Sequence, residues 1–214
     1  MMDYAALEAR VRAAGIVPIL AARSVDFVVS ATEALVAGGA TCIEVLFRSA
    51  AAQPALAEVR RRFPDLLVAA GTILEPEQYA AAVEAGADFC ISPGFDPVIV
   101  DIANAGPIRI VPGVQTASEV IAAWRKGVTL QKFYPSEPAG GTAVLSDYAN
   151  VFPTVSFMPS GKIDLANLAA YGRLRNIASV GGSWMYMDAG QPVSCEDMTA
   201  RMTASLAAWA GVRG

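Results

Sequence analysis

The chain carries three lysines against thirteen arginines, and one of the three, Lys132, falls inside a run of β-forming residues, Val128-Thr129-Leu130-Gln131-Lys132-Phe133-Tyr134, stopped by Pro135. Lys126 and Lys162 fall in turns or element ends. An ammonium among Leu130, Phe133 and Tyr134 is costly to bury unless it is paired or neutralised. Lys132 therefore either snorkels to solvent from an edge strand or is held neutral as a nucleophile toward a carbonyl carbon. Glu44 is the matching oddity, an acid between Ile43 and Val45 in an apolar run. Strand alternation puts it on the face opposite those two. If Ile43 and Val45 face covering helices, Glu44 points into the interior, where an ion pair with Arg48 would satisfy it. A Glu and a Lys aimed into one interior would instead form an acid–base and Schiff-base pair.

Composition narrows the chemistry further. The chain has no histidine, which removes the usual zinc ligand and the commonest general base, so catalysis must run on Lys, Glu/Asp, Tyr or Cys. Cys42, Cys90 and Cys195 lack metal-ligand spacing and read as buried free thiols; no metal site is expected. A net charge of −4, with no basic cluster beyond Arg60-Arg61-Arg62 at a helix end, argues against nucleic acid as a partner. Hydrophobic residues make up 54%, yet no apolar run approaches the ~20 residues that span a bilayer, so no membrane association is expected. The opening Met-Met-Asp-Tyr lacks the basic start and apolar core of a signal peptide, and a cytoplasmic location is the expectation.

The elements that must position Lys132 and Glu44 alternate along the chain. Short β-rich runs are expected at 16–20, 41–46, 66–70, 89–92, 109–112, 129–133, 155–158 and 177–180, with amphipathic helical runs between them. Gly38-Gly39, Gly86 and Gly127 sit where helices should stop, and Glu75-Pro76 and Asp96-Pro97 mark helix starts. A helix over 4–14 precedes the first strand, and another over 194–209 closes the chain. Eight strand–helix units at this spacing predict an α/β fold, a (β/α)8 TIM barrel with an extra N-terminal helix, as one domain over 1–214. The competing architecture, an open doubly wound sheet, lacks the G-x-G-x-x-G after its first strand.

In such a barrel the site lies at the strand C-termini. There the chain places Arg48, Gly71-Thr72, Ser92-Pro93-Gly94, Pro112-Gly113, Pro159-Ser160-Gly161-Lys162 and Gly181-Gly182-Ser183-Trp184. The last two loops are either ordinary tight turns or, taken together, a phosphate cradle of backbone N–H groups.

These segments resemble the bacterial 2-keto-3-deoxy-6-phosphogluconate (KDPG) and 4-hydroxy-2-oxoglutarate (KHG) aldolases. The matching stretches are Gly15-Ile-Val-Pro-Ile19, Ile43-Glu-Val45 with Arg48, Ala70-Gly-Thr72, Ile91-Ser-Pro-Gly94, Val111-Pro-Gly113, Lys132-Phe-Tyr-Pro135 with Glu137 and Gly140-Gly141, Pro159-Ser-Gly161 and Gly181-Gly-Ser-Trp184, in order along nearly the whole barrel. The resemblance implies a class I aldolase without metal or cofactor, usually a homotrimer, acting on a small keto acid. Lys132 would form the Schiff base and Glu44 would be the general acid/base. Arg48 and Thr72 would hold the substrate carboxylate, with Pro93 and Phe133 also at the substrate. Gly161, Gly182 and Ser183, with Lys162 beside them, would receive the phosphate. Two departures stand out. Pro159-Ser160-Gly161-Lys162 replaces the family's usual Pro-Thr-Gly-Gly, and Phe133-Tyr134-Pro135-Ser136-Glu137 replaces Phe-Phe-Pro-Ala-Glu. The galactonate-type aldolases look less similar. A non-covalent phosphosugar isomerase, or a barrel that only binds a phosphorylated metabolite, is the alternative in a different class.

Overall fold

The computed structural model describes residues 2–213. Helix α1 (Tyr4–Ala14), whose first turn is capped by the Asp3 carboxylate accepting from the Ala6 N–H at 2.8 Å, precedes the barrel. The strands then alternate with helices: β1 (Ile16–Ala21), α2 (Val25–Ala37), β2 (Cys42–Leu46), α3 (Ala52–Arg62), β3 (Leu67–Gly71), α4 (Pro76–Glu84), β4 (Phe89–Ile91) and α5 (Pro97–Ala105). The fifth barrel position is split into β5 (Arg109–Val111) and β6 (Gly113–Val114) by Pro112, which has no N–H for a ladder bond. After α6 (Ala117–Arg125) come β7 (Leu130–Phe133), a 3-10 turn over Glu137–Ala139, α7 (Gly141–Val151), β8 (Ser156–Pro159), α8 (Leu168–Gly172), β9 (Val180–Gly182), a hairpin of β10 (Met187–Asp188) and β11 (Gln191–Pro192), and α9 (Cys195–Arg213).

All barrel pairings are parallel, in the order β5-β4-β3-β2-β1-β9 and β6-β7-β8. The Lys132 N–H donates to Pro112 O at 2.9 Å across the break, and single bridges Phe157↔Ile177 and Ser160↔Gly181 join β8 to β9. The ring is thus a (β/α)8 barrel.

Two apolar clusters follow from strand alternation. Ile43 and Val45 pack outward with the helices, while Cys42 faces an inner cluster with Val17, Leu67, Phe89 and Leu130. Leu7 and Val11 of α1 belong to that inner cluster, so α1 seals one end of the barrel and leaves the other for the site.

Three sequence expectations need correction. The eighth strand falls at Val180–Gly182, with Ile177 making only an isolated bridge. The helix before it, expected over 165–171, is a short one, Leu168–Gly172, after which the chain turns at Arg173 back to the sheet. Cys195 is exposed at the start of α9, whereas Cys42 and Cys90 are buried, and burial pushes both of their thiols up, away from thiolate chemistry. Among the described residues no helix is long and apolar enough to cross a membrane.

Candidate active site

Lys132 sits on β7 between Gln131 and Phe133. Phe133 is wholly buried in the helix-facing core against Tyr148 and Phe157, so alternation turns Lys132 into the barrel. Lys132 is 7% exposed and does not snorkel from an edge. Its Nζ lies 3.1 Å from Glu44 Oε1 and 3.4 Å from Oε2, and Glu44 is 2% exposed. These two residues, 88 positions apart, form the one buried ion pair of the interior among the described residues. Arg48 does not take part: its Nε donates to Thr72 Oγ1 at 2.9 Å. Thr72 holds φ at +62°, an uncommon conformation for a β-branched residue, costing on the order of 1–3 kcal/mol and typical of sites where side-chain direction matters.

Lys132, Arg48, Thr72 and Pro93 line a cavity of about 610 Å³ at the C-terminal rim. Gly161, Lys162, Gly182 and Ser183 line the same cavity. The seven residues expected at the substrate and its phosphate, Phe133 apart, therefore come together with the lysine, and Glu44 lies behind it. Phe133 is the exception. It points away from the cavity, and the ring that lines the wall is that of Tyr134, two residues beyond Lys132 and on the same face. The Tyr134 ring centroid is 5.5 Å from Lys132 Nζ, close enough for a cation–π attraction. Alternation alone would have selected Tyr134.

Ser160 is a second residue that the sequence left without a role. It is 3% exposed and lines the cavity, and among the described residues its Oγ has no hydrogen-bond partner, which leaves it free to bond a polar group entering the cavity. Tyr186 and Met187, beyond β9, also form the wall. Tyr186 Oη accepts from the Ala21 N–H at 3.1 Å, fixing this turn to the end of β1, and its burial pushes the phenol up. Nothing in the local pattern of 183–192 announces that return to the first strand.

The amine, a carboxylate within proton-transfer distance, and the cations of Arg48 and Lys162 in the cavity wall suit covalent attack on the ketone of an anionic substrate. A parallel barrel carrying this pair at its C-terminal rim has the construction of a Schiff-base lyase. The comparisons with known proteins make that specific. Residues 7–200 match the family model for KDPG and KHG aldolase. The 2-dehydro-3-deoxy-phosphogluconate aldolase of Treponema pallidum is 40% identical over 182 residues, 85% of each chain. The KHG/KDPG aldolase of Escherichia coli is 37% identical over 170 residues, 79% of this chain and 80% of that one. The crystal structure of KDPG aldolase from Legionella pneumophila, with pyruvate captured as a covalent carbinolamine intermediate, superposes with a TM-score of 0.89 at 33% identity, covering 95% of this chain and 98% of that one. The chain belongs to the KDPG and KHG aldolase family, and it is an aldehyde-lyase of class I, in which a lysine is itself the covalent group and no cofactor is required.

Proposed function

We propose that this enzyme cleaves 2-keto-3-deoxy-6-phosphogluconate to pyruvate and glyceraldehyde 3-phosphate, with 4-hydroxy-2-oxoglutarate, split to pyruvate and glyoxylate, as a second substrate. The observation that carries the assignment is the buried contact of Lys132 Nζ with Glu44 at 3.1 Å. Glu44 is placed to take the proton that the ammonium must lose before its lone pair can attack. The neutral amine adds to the C2 ketone, the carbonyl oxygen is protonated, and the carbinolamine loses water through protonation by Glu44 to give the iminium. Glu44 then takes the C4 hydroxyl proton, the C3–C4 bond breaks, and its electron pair passes into the iminium to give an enamine while the aldehyde departs. Protonation at C3 and hydrolysis release pyruvate and restore Lys132.

Substrate orientation comes from two sets of cavity residues. Arg48 spends its Nε on Thr72, which directs the remaining guanidinium N–H groups, with the Thr72 hydroxyl and the wall at Pro93, to the keto-acid carboxylate. Gly161, Gly182 and Ser183 offer backbone to the phosphate and Lys162 adds a cation. The same proposal includes a homotrimer working in the cytoplasm. Exposed Leu74 just before α4, Val98 on α5, and Ile121 and Trp124 on α6 supply apolar surface for contact between copies.

The decisive experiment is borohydride reduction in the presence of pyruvate, followed by peptide mass spectrometry. One pyruvyl group on Lys132 is expected. An adduct on Lys126 or Lys162, or none, would sink the assignment.

A further inference from the structure

A hydrogen-bonded node centred on a buried tyrosine lies outside the residues that line the cavity. Tyr171, on α8, is wholly buried. Its hydroxyl donates to Glu137 Oε1 and stands 2.8 Å from Ser136 Oγ, and since a phenol has one proton, Ser136 is the donor in the second bond. Ser136 and Glu137 follow the strand that carries Lys132. Their backbone is tied in turn to the loop after β8: the Ser136 N–H donates to Ser160 O at 2.8 Å and the Glu137 N–H to Gly161 O at 3.3 Å. Gly161, at φ +104°, lets this contact close, since a Cβ there would stand 3.1 Å from Pro135 Cα.

Peptide planarity converts those two bonds into a direction. In a trans peptide the C=O and the following N–H point opposite ways. With Ser160 O and Gly161 O turned toward 136–137, the N–H groups of Gly161 and Lys162 must point away from that segment. Among the described residues neither N–H has an acceptor, and both residues line the cavity.

On the footing of the aldolase function above, we propose that Tyr171 and Glu137 are positioning residues for the phosphate end of the site. They hold the segment after β7 so that the Ser160–Gly161 and Gly161–Lys162 peptides present two free N–H donors to the substrate phosphate. The node acts on anion binding and leaves Schiff-base formation at Lys132 alone, because the lysine is held by β7 and by Glu44.

The test compares wild type with Tyr171→Phe, which keeps the ring and removes the hydroxyl, and with Glu137→Ala, which removes the acceptor at an exposed position. Inorganic phosphate is the probe, as a competitive inhibitor of cleavage of the phosphorylated keto acid. Each variant should raise the inhibition constant for phosphate about tenfold, the loss of a hydrogen bond to a charged group. The KM for the phosphorylated keto acid should rise in parallel, with less than about a twofold change in the rate of borohydride-trapped pyruvate adduct. If Tyr171→Phe fails to fold, Glu137→Ala alone decides. An unchanged phosphate constant, or equal losses in phosphate binding and adduct formation, would overturn the positioning role. Absence of any pyruvate adduct on wild type would instead overturn the aldolase function itself, so the two failures are distinguishable.

Discussion

The carboxylate of Glu44 occupies the space that a side chain at residue 71 would need. Gly71 pairs with Leu46 on the adjacent strand, and a Cβ built on it would collide with Glu44 Oε1. The backbone of Gly71 is not left-handed, so the requirement there is for room beside the acid rather than for an unusual φ. Gly71→Ala should therefore displace Glu44 from Lys132 without breaking β3. Turnover is expected to fall roughly 10²-fold, the usual consequence of misplacing a reacting group by about an ångström. Steady-state kinetics beside a circular dichroism spectrum would check it, and near-normal turnover would mean that Glu44 tolerates a second position.

Glu44→Gln keeps the size of the side chain and removes its ability to carry a proton. General acid–base contributions are about 10²–10⁴-fold, and kcat should fall by that order with the fold retained. The variant leaves Lys132 without its buried counter-charge, so a lower melting temperature is expected as well. Unimpaired turnover would reduce Glu44 to a structural ion-pair partner of Lys132.

Lys162 stands where the family usually has glycine, and it holds φ at +59°. A non-glycine residue in that region costs on the order of 1–3 kcal/mol, so Lys162→Gly should not lower the melting temperature. Among the described residues Lys162 forms no salt bridge, and its carbonyl accepts from Asn167 Nδ2 at 3.1 Å, which fixes the turn and leaves the charged end free at the cavity. Removing it should raise KM for the phosphorylated keto acid several-fold while barely changing cleavage of 4-hydroxy-2-oxoglutarate. The difference should shrink as salt rises, because an exposed charge is screened over about 10 Å at 0.1 M ionic strength. Equal changes for both substrates would remove Lys162 from the phosphate site. A gain with the phosphorylated substrate would show that it obstructs that site.

Carbanion stabilisation by an iminium makes a metal unnecessary for C3–C4 cleavage. Incubation with a chelator should leave activity unchanged. Loss restored by an added divalent ion would point to a metal enolate instead.

Much of the site was legible in the chain before any coordinates. The alternation of short apolar runs with amphipathic helical stretches pointed to the barrel, and because strands buried on both faces read as continuous apolar runs, a lone Glu or Lys in such a run stands out and its neighbours tell which face it takes. Ile43-Glu44-Val45 and Gln131-Lys132-Phe133 are both of this kind, and Phe133 was placed at the substrate by the family resemblance, whereas alternation puts it on the helix-facing side. The loops near β9 were less legible, since Ile177–Val180 has β-forming residues but the chain is still turning there, and the hairpin from Met187 to Pro192 carries no alternation to mark it. What the local sequence determined, then, is the type of each element and the face each side chain takes, since both depend on neighbours two to four residues away. Tertiary structure alone decided that Glu44 pairs with Lys132 rather than Arg48, that Gly71 leaves it room, and that Tyr171 reaches Glu137. Those are contacts between residues 27 to 88 positions apart or across adjacent strands, and only barrel closure, which sets the shear and brings distant strand ends to one rim, fixes their distances.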